Sequence, residues 1–198
     1  MRLGLAMVAA LLLATAVLAR LILPRGRRVV RQDEAFNQEA VKMSYDLHAV
    51  IADQEILRVV TRALPAARLA SIGQGLSLMP MTDALCEALA DGSGVGAWGF
   101  QRLPRGFEKV LADGSSGGPV AYVEAEYFGG VGEQRAAVWD AGTIVLAPLH
   151  MEEGEPFPPA GSPVSQALRR LGVVAGPAED EFSAVGLDRH RHNGAWVS

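Results

Sequence analysis

Residues 120–128, Val-Ala-Tyr-Val-Glu-Ala-Glu-Tyr-Phe, carry the clearest strand pattern in the chain. Side chains on a strand point to opposite faces at successive residues. Ala121, Val123, Ala125 and Tyr127 therefore share one face, and Tyr122, Glu124, Glu126 and Phe128 share the other. The glycines at 129, 130 and 132 mark a turn. Residues 133–140 read as the returning strand and 143–146 as a third, joined through Ala141-Gly142. This is an antiparallel meander with turn chemistry at both joints.

Upstream, residues 44–51 alternate enough for a first strand. Asp53 is placed to cap a helix running to about Leu64, with Ile56, Leu57, Val60 and Leu64 spaced by three and four. Residues 68–72 and 76–79 read as short strands. Thr82 precedes a short helix over 83–90 with Leu85, Cys86 and Leu89 on one face, and Pro104 suits the first turn of a helix over 104–113. The stretch 151–163 holds three glutamates, four prolines and two glycines and reads as a surface loop. Ser162 and Pro163 start a helix that Gly172 stops. The last twenty residues read as a tail anchored by Phe182, Val185, Leu187 and Trp196. The element order predicts an α+β fold in two layers: a mixed sheet with an antiparallel meander in its C-terminal half and helices mainly on one face.

The pattern changes character at residue 43. Residues 1–42 hold seven basic residues and three acids, a formal +4, and residues 43–198 hold 11 and 19, a formal −8. Residues 3–23 are almost uncharged and apolar. Three readings compete for them: a signal peptide cut after Ala19, a single-pass anchor with Arg20 reaching the interface, or an upstream stretch not normally made, with the protein starting at Met43. The third gains support from Gln38-Glu39-Ala40, whose codons can spell a bacterial ribosome-binding sequence. A Met43 start predicts a cytoplasmic protein. An anchor predicts a transmembrane helix, with the positive-inside rule keeping the domain in the cytoplasm. The expected organisation is thus an apolar and basic segment, 1–42, and one globular domain, 43–198, long enough for its own core.

The acidic balance of 43–198 argues against nonspecific nucleic-acid binding. The lone Cys86 excludes an intrachain disulfide, and its apolar neighbours make it a packing residue. No dinucleotide, phosphate-loop or nucleophile-elbow motif is present, and no cofactor is expected.

Glu124 and Glu126 stand about 6.6 Å apart along one strand face. Such a pair, with Arg135 returned beside it by the hairpin, is the candidate catalytic set. The plainer reading is a sheet surface with cross-strand charge pairing. The candidate binding set is Tyr122, Glu124, Glu126, Phe128, Gly129, Gly130 and Gln134. For a metal the expectation is none; Asp188, His190 and His192 are the spacing-based candidates, with Arg189 and Arg191 more simply pairing with acids.

Met43-Ser44-Tyr45-Asp46-Leu47, the stretch GPVAYVEAEYFGGVGEQ at 118–134 and DEFSAVGLDRHR at 180–191 together resemble a family of small actinobacterial proteins without assigned activity, over about residues 43–198. In size, acidity and α/β character the domain is also similar in type to toxin-immunity proteins, with no motif behind that likeness. Neither resemblance brings catalytic residues. The leading expectation is a non-catalytic binding module whose acidic face takes a protein partner, basic in character. The alternatives are a small hydrolase-like enzyme on the Glu124/Glu126/Arg135 face and a membrane-tethered accessory domain.

Overall fold

The alternation read in the sequence builds one antiparallel sheet. A computed structural model describes residues 43–90, 94 and 96–197. The strands are β1 (Ser44–Asp53), β2 (Ala70–Ser71), β3 (Leu76–Pro80), β4 (Val120–Phe128), β5 (Val131–Asp140) and β6 (Thr143–Met151), in the spatial order β2-β3-β1-β4-β5-β6. Among the described residues every pairing is antiparallel. The α+β class and the antiparallel meander agree with the sequence reading. The sheet is not mixed, because each strand returns beside a neighbour running the other way.

The helices are α1 (Gln54–Thr61), α2 (Asp83–Leu89), α3 (Phe107–Gly114), α4 (Pro163–Arg170) and the one-turn α5 (Glu181–Ala184). They lie on both faces of the sheet, not mainly on one. The reason is the central strand β1, which is buried from Leu47 to Ala52 without a break. One set of alternating residues, including Leu47, Ile51, Leu78, Val123 and Val138, packs under α4 and the tail residues Val185, Leu187 and Trp196. The other set, including Val50, Met79, Tyr122, Ala137 and Trp139, packs under Leu57 of α1, Leu85 of α2, and Phe107 and Leu111 of α3. A sheet apolar on both faces needs both covered, and each fully buried Leu, Ile or Phe contributes about 1.5–3 kcal/mol.

Local signals act where the sequence places them. Asp53 accepts from the Glu55 amide at 2.8 Å, Thr82 from Leu85 at 3.3 Å and Ser162 from Ser165 at 3.3 Å. Helix α1 stops at Thr61, short of Leu64, and α3 begins at Phe107, not Pro104. Strand β6 runs to Met151, past the expected Leu146, with Pro148 on this edge strand, where its missing N–H removes no ladder bond that the sheet requires.

The tail is part of the sheet's architecture. Beside the N-terminal half of β1, where β3 does not reach, the Asp46 amide donates to the Arg191 carbonyl at 2.8 Å. Asn193, 8% exposed, accepts from the His48 amide at 3.2 Å and donates to the Met81 carbonyl at 2.9 Å.

No helix among the described residues is long and apolar enough to cross a membrane. This corrects the expectation of a transmembrane helix as far as the described residues reach; residues 3–23, on which that expectation fell, lie outside them, as do the signal-peptide and start-site readings.

Candidate functional site

The β4–β5 hairpin turns through Gly129 and Gly130, with φ of +61° and +89°. Two successive left-handed residues make the turn that matches the twist of a two-residue hairpin, and glycine adopts it without steric cost. The turn sets Phe128 opposite Val131 and Glu126 opposite Glu133. Phe128 and Val131 are each 53% exposed, so the tip presents an apolar edge.

Behind the tip, on the face carrying Glu124 and Glu126, lies an open cleft of about 510 Å³. Four carboxylates line it, those of Asp46, Glu126, Glu133 and Glu153, against one guanidinium, that of Arg102. Strand alternation puts Ser44, Asp46 and His48 of β1 beside Glu124, Glu126 and Phe128 of β4. The result is an acidic wall with an apolar rim.

The acids divide by what already holds them. Glu124 is 2% exposed. Its carboxylate accepts from the Gln101 and Arg102 amides, each at 2.8 Å, and from the Tyr122 hydroxyl at 3.0 Å, with Arg135 at 4.0 Å. It is the buried anchor of the 101–102 loop. Burial pushes the Tyr122 phenol well up, and the neighbouring Glu124 charge adds to this. Arg135 donates to both oxygens of Glu133, at 2.8 and 2.9 Å. That hydrogen-bonded pair holds the Glu133 carboxyl below its ordinary range against some opposing burial, with His150 assisting at 3.3 Å. Gln101 also donates to Glu133.

Glu126, 43% exposed, meets the Nε2 of His48 at 2.9 Å; His48 is 3% exposed and its Nδ1 has no partner among the described residues. Asp46 holds the tail, meeting His192 Nδ1 at 2.6 Å and accepting from the Asn193 amide at 3.1 Å, yet stays 41% exposed. Glu153 is exposed and makes no ion pair among the described residues. Glu126 and Glu153 thus remain available to a ligand, while Asp46 adds its charge to the wall with both oxygens engaged by the tail.

The residues singled out in the sequence part company here. Glu126 and Phe128 line the cleft, whereas Gly129 and Gly130 make the hairpin turn, and Gly130 lines a depression on the opposite face. Glu124 and Tyr122 lie beneath it, joined to each other, and Arg135 is taken up by Glu133. Gln134 faces the opposite side of the sheet, donating to the Tyr127 hydroxyl at 2.7 Å and accepting from the Val164 amide at 3.0 Å. Asp188, His190 and His192 are not brought together: His192 binds Asp46, and His190 stands edge-on to Trp196 at 4.7 Å. No group of His, Cys, Asp and Glu that could hold a metal occurs among the described residues. Burial pushes the Cys86 thiol up, consistent with its packing role. Phe100 is core, while Trp98 is 48% exposed and leans on Trp139 at 5.7 Å. The sequence reading missed Asp46, His48 and Arg102 as cleft residues. Strand alternation on β1 was the signal that could have placed Asp46 and His48.

Compared with known proteins, the chain matches no family model, no curated protein and no solved structure. The site is therefore read from its own chemistry.

Proposed function

We propose that the protein is a non-catalytic binding module that takes a basic, partly apolar segment of a protein partner into the acidic cleft. The observation that carries this is the charge of the wall: four carboxylates against one guanidinium, with Glu126 and Glu153 open to a ligand. The exposed Phe128 and Val131 on the rim supply the apolar contact that gives such docking its affinity. Carboxylates in a cleft concentrate field lines and speed the encounter with a cationic partner. The buried, fully hydrogen-bonded Glu124 serves as scaffold beneath this wall.

The test is fluorescence anisotropy of a labelled arginine-rich peptide. Glu126→Gln together with Glu153→Gln weakens binding roughly two- to tenfold, the effect of two exposed ion pairs. Glu87→Gln with Asp113→Asn, outside the cleft, leaves it unchanged. Equal loss in both double variants contradicts the reading.

One observation favours a hydrolase-like alternative, the 2.9 Å contact of buried His48 with Glu126 at the cleft wall. A half-exposed carboxylate positioned by a buried imidazole is placed to act as a general base, with His48 as the residue that orients it. It predicts turnover of p-nitrophenyl ester or phosphate substrates that His48→Gln abolishes. Absence of turnover in the unaltered protein removes it.

A further inference from the structure

A second depression, of about 330 Å³, lies at the same end of the sheet but on the opposite face. Its walls are aromatic. Tyr45 and Tyr127 are direct cross-strand partners, and Phe182 stands edge-on to Tyr45 with centroids 5.5 Å apart. Phe157, 67% exposed, completes the lining. Opposite Tyr127 across the hairpin is Gly132, where a Cβ would fall 1.9 Å from the Glu126 carbonyl oxygen. No side chain from that position fills the space beside the tyrosine ring.

The polar ends of the two tyrosines are already occupied. The Tyr45 hydroxyl donates to the Leu187 carbonyl at 3.0 Å, and the Tyr127 hydroxyl accepts from Gln134 at 2.7 Å. The rings are thereby fixed, and both contribute to the lining of the depression. Two carboxylates, Asp180 and Asp188, share the lining with one guanidinium, Arg191. Asp180 uses one oxygen to cap α5 through the Ser183 amide at 2.9 Å. Asp188 makes no ion pair among the described residues, and the neighbouring Arg189 is turned to the Ser71 carbonyl and the Trp196 ring. Both acids act on the rings. Burial first, then Asp46 and Asp188, pushes the Tyr45 phenol far up, and burial raises Tyr127 with Asp180 adding.

We infer that this depression is a binding site for an organic cation, an alkylated ammonium group held by aromatic faces and the Asp180 and Asp188 carboxylates. Aromatic faces attract cations through the ring quadrupole, and alkyl substituents lose little hydration when they enter such a cage. An anion would meet two carboxylates, and a neutral apolar ligand would leave them without a role.

The probe is choline, titrated against aromatic and methyl NMR signals of the whole chain, beside its neutral isostere 3,3-dimethylbutan-1-ol. The expected result is saturable shifts at Tyr45, Tyr127 and Phe182 with choline, and much weaker binding of the isostere. Phe157→Ala, at an exposed ring, weakens choline about two- to fivefold. Asp188→Asn weakens it too, and Arg191→Gln strengthens it. Equal binding of the isostere, shifts confined to the Asp46 and Glu126 side, or no saturable shift at the three rings overturns the assignment. Glu126→Gln with Glu153→Gln leaves choline binding intact, so this site and the acidic cleft stand or fall separately.

Discussion

Glu124 accepts the backbone amide of Arg102 at 2.8 Å, and this bond ties the loop before α3 to the middle of the sheet. The same carboxylate takes the Gln101 amide and the Tyr122 hydroxyl. One buried acid thus fixes the loop that carries Arg102, whose guanidinium lines the cleft and pairs with Asp83.

Removing that acid leaves two amide donors and the Tyr122 hydroxyl without their buried acceptor. Glu124→Ala is expected to cost about 3 kcal/mol in chemical denaturation, in the range for breaking a buried charged network. The variant, measured where it is still folded, keeps its affinity for a basic peptide. A stability change near zero would mean that the loop is held by other contacts.

Glu133 gives a pH signature. Its carboxyl is held below the ordinary value of 4.5, first by the Arg135 hydrogen bonds. A depressed folded value means the charged form stabilises the fold above about pH 4.5, and this contribution disappears as pH falls through the lowered folded value. The stability advantage of the unaltered protein over Glu133→Gln is therefore constant from neutrality down to about pH 4.5 and shrinks below it. Thermal denaturation across that range checks it. An advantage that grows on acidification contradicts the ion-pair account.

The turn between β5 and β6 stores strain. Ala141 has φ +47° and is followed by Gly142 at φ +77°. Alanine is disfavoured in this region, whereas Asn-Gly is the preferred pair for such a hairpin turn. Ala141 is exposed, and its amide bond to the Ser115 carbonyl at 3.0 Å survives substitution. Ala141→Asn is expected to stabilise the protein by about 1 kcal/mol, or roughly 2–4 °C in Tm. An unchanged or lower Tm would show that the turn tolerates alanine without penalty.

The meander was legible because Val120–Phe128 alternates cleanly and glycines punctuate both turns. Asp53, Thr82 and Ser162 were legible as caps because a short oxygen-bearing side chain before an apolar run has few other uses. The two-sided core was not legible. Its second face carries Tyr122 and Glu124, which read as a solvated face until the 101–102 loop is known to fold back onto it. That is a contact between residues 22 and 23 positions apart, which no local pattern encodes. The cleft was half legible: Glu126 and Phe128 follow from alternation on β4, whereas Asp46 and His48 enter through the β1–β4 register, set by packing across the whole sheet. The aromatic depression needs Phe157 and Phe182 brought to Tyr45 by a loop and a tail, and so lay beyond sequence pattern.

The central claim is that open carboxylates in the cleft hold a basic segment, and its most direct test is salt dependence. The affinity of the arginine-rich peptide is measured by anisotropy from about 0.05 M to about 0.5 M sodium chloride, across which the screening length shortens severalfold. The account predicts a steep, continuous loss of affinity for the unaltered protein and a shallower slope for Glu126→Gln with Glu153→Gln. Affinity that barely changes over this range, or identical slopes for the two proteins, would contradict it.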